Sequence, residues 1–177
     1  MGRFETAVAF VAGKEGGLAD HKSDKGGRTG YGVTQGTYDR YRASKKLDKR
    51  DVHLIGKSEV LDIYREYWTS SYAGAFDLAL ATVALDTAWL FGVGRWKQFF
   101  REATGINISG RLSEQAKARI TSLTPSQEKK TALMVVSLRK MHHRKVCEKD
   151  PSQTVFYRGW MRRSQSLEKF VLENSKL

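Results

Sequence analysis

The sequence contains one cysteine and only two prolines in 177 residues. A single cysteine, Cys147, excludes an intrachain disulfide, so the fold depends on its hydrophobic core. Long apolar runs are also missing: the most hydrophobic stretch, residues 76–94, contains Asp77 and Asp86, which excludes a typical membrane-spanning helix. With 40% hydrophobic and 28% charged residues, the composition is that of a globular protein, and the length predicts one domain over residues 1–177.

Positive charge is concentrated in the second half of the chain. Residues 95–177 hold 18 Lys+Arg against 7 Asp+Glu, whereas residues 1–94 hold 13 against 12. Such a surplus favours a polyanionic partner, whether nucleic acid, anionic lipid or an acidic cell wall, and the charge alone does not choose among them. The densest basic run, residues 139–145, is typical of a solvated helix face. Its alternative role is to hold the protein near anionic wall polymers.

The spacing of apolar residues predicts a predominantly α-helical protein of the α+β class, with a small N-terminal β-hairpin region. Glycines and polar residues between positions 18 and 33 are typical of loops or short hairpin strands. Thr34 is a suitable N-cap, and Thr124 begins a capping-box pattern. Residues 76–91 are apolar nearly all round, which predicts a central helix. The predicted helices cover residues 3–14, 35–46, 76–91, 94–104, 112–121, about 125–147 and 153–174. A further helix is predicted to begin after residues 56–58.

Two carboxyl groups near the N-terminus have a setting that suits glycosidic cleavage, which needs one protonated and one ionised carboxyl group. Glu15 lies at the C-terminus of the first predicted helix, where the negative end of the helix dipole disfavours the anion; if apolar walls also pack against Glu15, both effects suit a proton donor. Asp24 lies on a glycine-rich loop where a carboxylate stays ionised, and the Thr29 hydroxyl can orient a water molecule. The alternative interpretations are that Glu15 is a solvated glutamate at the end of a helix and that Asp24 is an ordinary turn residue.

This segment resembles glycoside hydrolase family 108, the muramidases of phage endolysins and bacterial secretion activators. The family pattern runs approximately Glu-Gly-Gly-Tyr and then Asp-x-Gly-Gly-x-Thr-Asn-Tyr-Gly-Ile-Thr. This chain reads EGGL from Glu15 and DKGGRTGYGVT from Asp24. Weaker similarities lie at Ile63-Tyr64-Arg65 with Tyr67-Trp68, at Asp86 and at Gly159-Trp160. The similarity covers nearly the whole chain, although only the first segment is specific.

The resemblance implies a lysozyme-like fold and cleavage of the β-1,4 bond between N-acetylmuramic acid and N-acetylglucosamine in peptidoglycan, with Glu15 as the general acid. A similarity to the Glu, Asp, Thr triad of phage T4-type lysozymes implies that Asp24 and Thr29 position the water of an inverting enzyme. This chemistry needs no cofactor, and no metal site is predicted because His143 and Cys147 lack a third ligand. The predicted substrate-binding residues are Tyr31, Gly32, Gln35, Asp86 and Trp89.

Some of these positions have alternative interpretations. Tyr31 either lines the sugar cleft or anchors the hairpin, and Asp86 is either a cleft residue or a buried carboxylate with its own partners. The tryptophans have helical spacing, which is more typical of a core than of carbohydrate stacking, with Trp89 as the expected exception.

The chain also departs from the family pattern. Leu18 replaces a tyrosine, His21 an aspartate and Gly30 an asparagine, and Trp89-Leu90 stands where Val-Asn is expected before Gly92. Because these changes remove hydrogen-bonding groups, one alternative function is a catalytically lapsed lysozyme-like module that binds the wall or forms part of a phage. A second alternative, prompted by the basic half, is a nucleic-acid-binding protein.

The N-terminus lacks the features of a classical signal peptide, since its apolar stretch is short and contains Glu5 and Thr6. We therefore expect synthesis in the host cytoplasm and action on the cell wall or in the periplasm, without stable membrane insertion. Delivery would then require a holin, a secretion apparatus or a phage virion. The expected state is a monomer unless the protein is bound to a virion.

Overall fold

The structure, a computed structural model, describes residues 2–13 and 29–175. Within these ranges the protein is predominantly α-helical with one antiparallel hairpin, which confirms the predicted fold class. The strands are β1 (Thr29–Gly30) and β2 (Val33–Thr34). The helices are α1 (Arg3–Ala12), α2 (Gln35–Ser44), α3 (Lys57–Ser70), α4 (Leu78–Phe91), α5 (Val93–Thr104), α6 (Glu114–Thr121), α7 (Pro125–Lys149) and α8 (Thr154–Asn174).

Two predicted caps define helix starts. The Thr34 hydroxyl accepts a hydrogen bond from the Thr37 N–H at 3.2 Å at the start of α2. At the start of α7, the Gln127 N–H donates to the Thr124 hydroxyl at 3.3 Å, and the Thr124 N–H donates to Gln127 Oε1 at 2.8 Å. Such caps contribute about 1 kcal/mol each. Helix α1 is shorter than its predicted range of 3–14, because Gly13 is its C-cap and glycine extends a helix poorly.

Helix α4 is the centre of the fold, as its apolar sequence predicts. Its residues Ala79–Ala88 are all buried. Helices α1, α3, α5, α7 and α8 all pack against it. Trp96 of α5 is fully buried in the same core, and its indole N–H donates to the Ser71 carbonyl oxygen at 2.8 Å. Among the described helices, none combines the length and apolar character that crossing a membrane requires.

A smaller core forms what we call the N-terminal lobe, composed of the hairpin, α2, residues 45–56 and the first turns of α3. Its buried apolar side chains are Val33, Tyr38, Tyr41, Val52, Ile55 and Ile63. A second small cluster, which includes Ala7 and Val11 of α1, Tyr64 of α3 and Leu85 of α4, joins these three helices. Tyr67 and Trp89 pack against both clusters, so they lie where the lobe meets the helical core.

Glu59 of α3 connects the elements of the N-terminal lobe. Its carboxylate accepts hydrogen bonds from the Tyr38 hydroxyl at 2.9 Å and from the Gly56 N–H at 2.9 Å. It also pairs with Arg42 at 3.0 Å and with Arg50. Burial alone would raise the pKa of Glu59, but these hydrogen bonds and both arginines outweigh it, so the pKa lies below its ordinary value. The ionised Glu59 therefore holds α2 and residue 50 against α3.

Candidate active site

The predicted catalytic residues are only partly accessible to structural description. Glu15 and Asp24 lie outside the described residues. Thr29 begins β1 and pairs with Thr34, but its side chain also lies outside the described part of the protein. The assignment of these three residues to catalysis therefore stays a prediction.

The hairpin turns through Tyr31 and Gly32. Both residues have positive φ, 50° and 78°, as a two-residue type I′ turn requires. Glycine adopts this conformation without strain, whereas a tyrosine there costs on the order of 1 kcal/mol. The Tyr31 side chain is 48% exposed. An aromatic residue is thus held in an unfavourable backbone conformation with its ring available at the surface.

The base of the hairpin is fixed by a close approach to the chain after α2. A Cβ atom at Gly30 would lie 2.5 Å from the Val52 carbonyl oxygen and 3.1 Å from Ile55 Cγ2. Only glycine fits at this distance. Gly30, one of the departures from the family pattern, is therefore required by the packing of this hairpin.

A small hollow of about 40 Å³ lies beside the turn. It brings together the predicted residues Gly32 and Trp89, along with Val33, Thr34, Thr37 and Tyr67. The Trp89 ring stacks on Tyr64 with ring centroids 4.0 Å apart and lies 5.2 Å from the Tyr67 ring. Trp89 is only partly buried, so it forms part of the wall of the hollow as well as part of the core.

A larger groove of about 460 Å³ shares Thr37 and Tyr67 with the hollow. Its sides are α2 and α3, and Gly92 and Val93 close it at the start of α5. We call the hollow and this groove together the interlobe cleft. Its lining mixes hydroxyls and charged groups, such as Arg40 and Glu66, with apolar surface, a combination that suits sugar rings.

Gln35 has a supporting position in the N-terminal lobe. Its amide nitrogen donates to Asp39 Oδ1 at 2.8 Å and to the Arg50 carbonyl oxygen at 2.9 Å, and its amide oxygen accepts from the Val52 N–H at 2.8 Å. Because both ends of the amide are used, the side chain connects α2 to residues 50–52. This arrangement favours a role in positioning the hairpin over direct contact with sugar.

The buried position of Asp86 corrects the prediction that it contacts substrate. Its side chain is 0% exposed, and its carboxylate pairs with Arg139 at 2.6 Å and with Arg163 at 2.8 Å. Burial alone would raise the pKa of Asp86, but the two arginines outweigh it and keep the pKa below its ordinary value. Asp86 is thus an ionised core residue that joins α4 to α7 and α8.

The basic run at 139–145 is not a uniformly solvated face, which corrects that interpretation. Arg139 is fully buried and also donates to the Thr87 hydroxyl at 3.1 Å. His143 is buried as well, and its ring stacks on Trp160 with centroids 4.6 Å apart. A signal for this was present in the sequence, because both residues continue the helical spacing of the apolar residues Ala132 and Val136.

His143 should make stability depend on pH. Burial, assisted by Arg139, lowers its pKa to about 3 from an ordinary value of 6.5. Since the unfolded chain binds a proton more readily, stability is complete above pH 6.5 and is lost as the pH falls toward 3, by up to about 1.4 kcal/mol per pH unit. Urea unfolding at pH 6.5 and 5.0 measures this loss. A His143→Phe variant, which keeps an aromatic ring against Trp160, should show a shallower dependence; equal slopes would contradict the assignment.

The comparisons with known proteins agree with this architecture. Residues 8–92 match the family model described as Glycosyl hydrolase 108. The solved structure of Brucella abortus SagA is similar with a TM-score of 0.77 and 23% sequence identity, over 98% of this chain and 96% of that chain, which confirms the lysozyme-like helical fold. A search of curated proteins finds no significant match. The matched segment includes Glu15 and Asp24 as well as Gly32 and Trp89 of the cleft. The match over residues 8–92 supports assignment of this chain to the glycosyl hydrolase 108 family.

Proposed function

We propose that this protein is a muramidase that hydrolyses the β-1,4 bond between N-acetylmuramic acid and N-acetylglucosamine in peptidoglycan. The observation that carries the proposal is the family match over residues 8–92, which includes both predicted carboxyl groups and every lining residue of the interlobe cleft except Val93. Glu15 donates a proton to the glycosidic oxygen, and Asp24, assisted by Thr29, directs water to the anomeric carbon. Departure of the leaving sugar and attack by water complete the hydrolysis.

The cleft supports this proposal by its size and its lining. Its larger part encloses about 460 Å³, Trp89 lies in the wall of the hollow, and the exposed Tyr31 directly precedes Gly32, which also lines the hollow. Aromatic faces beside hydroxyl-bearing side chains match the alternating apolar and polar surfaces of a pyranose. In this proposal Tyr31, Gly32 and Trp89 contact sugar, and Gln35 positions the hairpin that carries them.

The test is digestion of defined peptidoglycan followed by mass spectrometry of borohydride-reduced fragments. Muramidase action should leave N-acetylmuramic acid at the reduced ends. Reduced N-acetylglucosamine ends would contradict the bond assignment, and anhydro ends would contradict hydrolysis.

NMR of the first product formed should show the inverted α anomer. A β anomer would contradict the assignment of Asp24 and Thr29 to water positioning and point to a covalent intermediate, for which the two carboxyl groups would lie about 5 Å apart.

Tyr31 can be tested by a substitution that separates binding from hairpin stability. Tyr31→Gly removes the ring but relieves the positive φ, so the free energy of unfolding should rise by about 1 kcal/mol. The KM for a soluble glycan oligomer should rise about fivefold with little change in kcat, because ring stacking contributes about 1 kcal/mol. Tyr31→Phe keeps the ring and is the matched control. An unchanged KM in Tyr31→Gly would favour the hairpin-anchor interpretation.

A further inference from the structure

A second groove lies between α5 and α7, away from the interlobe cleft. It encloses about 290 Å³ and shares no lining residue with the cleft. Its floor is apolar, formed in part by Phe99, Leu138 and Val146. Phe99 is only 4% exposed, so the floor is a recessed apolar surface and not a protruding aromatic face.

The charges along this groove differ from one end to the other. Burial lowers the pKa of His142, and the nearby positive charges of Arg95, Lys145 and Lys149 lower it further. Glu102 lies seven residues after Arg95 on α5, or about 10 Å along the helix. Between them, the Gln98 side chain accepts from Arg95 at 2.8 Å and donates to Glu102 at 2.8 Å. The groove therefore has a cationic end and an acidic end.

The groove charges are available to a ligand. Among the described residues, no carboxylate forms an ion pair with Arg95, Lys145 or Lys149, and no cation pairs with Glu102. Both lysines and Glu102 are exposed. A ligand that fits would carry carboxylates at one end, small apolar groups in the middle and an ammonium group about 10 Å away.

This pattern distinguishes among anionic ligands. Single-stranded nucleic acid requires exposed aromatic faces for its bases, and the rings of this groove are buried or partly buried. A uniform polyanion would be repelled by the carboxylate of Glu102 at the acidic end of the groove. We propose that the α5–α7 groove binds the short acidic peptides, rich in small side chains and containing a free amine, that are attached to the glycan strands of peptidoglycan. This inference rests on the proposed function.

The position of the groove supports the same ligand. Val93 lines the interlobe cleft and Arg95, two residues later, lines the groove. Residues two apart face opposite sides of a helix, so the cleft and the groove lie on different sides of the first turn of α5. In this proposal a peptide attached to a sugar in the cleft passes around that turn into the groove, and binding there adds affinity for peptide-bearing wall over bare glycan.

The direct test is titration of the full protein with a synthetic N-acetyl-Ala-γ-Glu-diaminopimelate-Ala tetrapeptide, whose acetyl group replaces the amide link to the glycan, followed by NMR. Saturable binding is expected, and a double variant Lys145→Glu with Lys149→Glu should bind about tenfold more weakly. Arg111→Glu with Lys130→Glu makes the same change in net charge at exposed positions outside the groove and should bind as the unmodified protein does. Equal weakening in both variants, absence of saturation at about 10 mM peptide, or displacement by an oligothymidylate or a poly(glycerol phosphate) of equal charge would overturn the proposal.

A second measurement separates this inference from the proposed function. Cleavage is compared on intact peptidoglycan and on glycan strands whose peptides have been removed by an amidase. The Lys145→Glu, Lys149→Glu variant should be slower on intact wall and unchanged on bare strands. If both substrates are cut equally well by the variant and the unmodified protein, the groove proposal fails and the muramidase stands. If the unmodified protein cuts neither substrate, the proposed function fails whatever the peptide titration gives.

Discussion

Replacing Glu15 by glutamine is expected to lower the rate of peptidoglycan cleavage by at least about 100-fold. Glutamine keeps the size and polarity of the side chain but has no proton to give to the glycosidic oxygen, and general acid catalysis contributes about 10² to 10⁴ in rate. The release of reducing ends from purified peptidoglycan measures the loss. Glu5→Gln is the matched control, because Glu5 is an exposed carboxylate of α1 and its substitution makes the same change in charge.

Wall binding by the Glu15→Gln variant decides what a loss of activity means. A pull-down on insoluble peptidoglycan should show unchanged binding, since the substitution removes a catalytic proton and not the cleft. Full activity in the variant would exclude Glu15 as the acid. An unmodified protein that binds the wall without releasing reducing ends would instead establish the catalytically lapsed module, to which the replaced family residues Leu18, Gly30 and Trp89-Leu90 point.

The second large effect is expected for Asp86→Asn, which should lower the free energy of unfolding by about 3–5 kcal/mol. The substitution leaves Arg139, which is fully buried, without an anionic partner, and an uncompensated buried charge is costly. Arg163 loses the same carboxylate. Urea unfolding monitored by circular dichroism measures the change.

Glu114→Gln is the control for Asp86→Asn. Glu114 also pairs with a cation, Lys117 at 2.6 Å, but both side chains are largely exposed, so its loss should cost less than about 1 kcal/mol. A comparable effect of the two substitutions would mean that burial does not determine the cost of losing the pair. Because Asp86 does not line the cleft, the KM of the folded Asp86→Asn protein should remain close to that of the unmodified protein.

The helices could be predicted from the sequence because their signals are local. Thr34 and Thr124 bond to backbone groups three residues away, and the apolar pattern of α4 is continuous along one segment. The hairpin was also predictable from its glycines. What these features share is that the residues responsible lie within one or two turns of each other.

The pairing of Asp86 with Arg139 and Arg163 could not be predicted in the same way. A lone aspartate in an apolar helix is consistent with either a cleft residue or a member of a buried ion pair. Helical spacing places Arg139 on an inner face of its helix but does not identify the partner of its charge. The choice depends on how α4, α7 and α8 pack, which brings together residues far apart in the chain. The interlobe cleft has the same origin, since the hairpin turn and Trp89 meet only through tertiary packing.

The fit of Gly30 against Val52 has a consequence for exchanging parts between family members. An asparagine at position 30, as the family pattern has, would place its Cβ 2.5 Å from the Val52 carbonyl oxygen. A protein with that asparagine must therefore hold its counterpart of residues 52–55 further away. We therefore expect that a chimaera that transplants residues 29–34 must carry residues 50–56 with them to keep this fit.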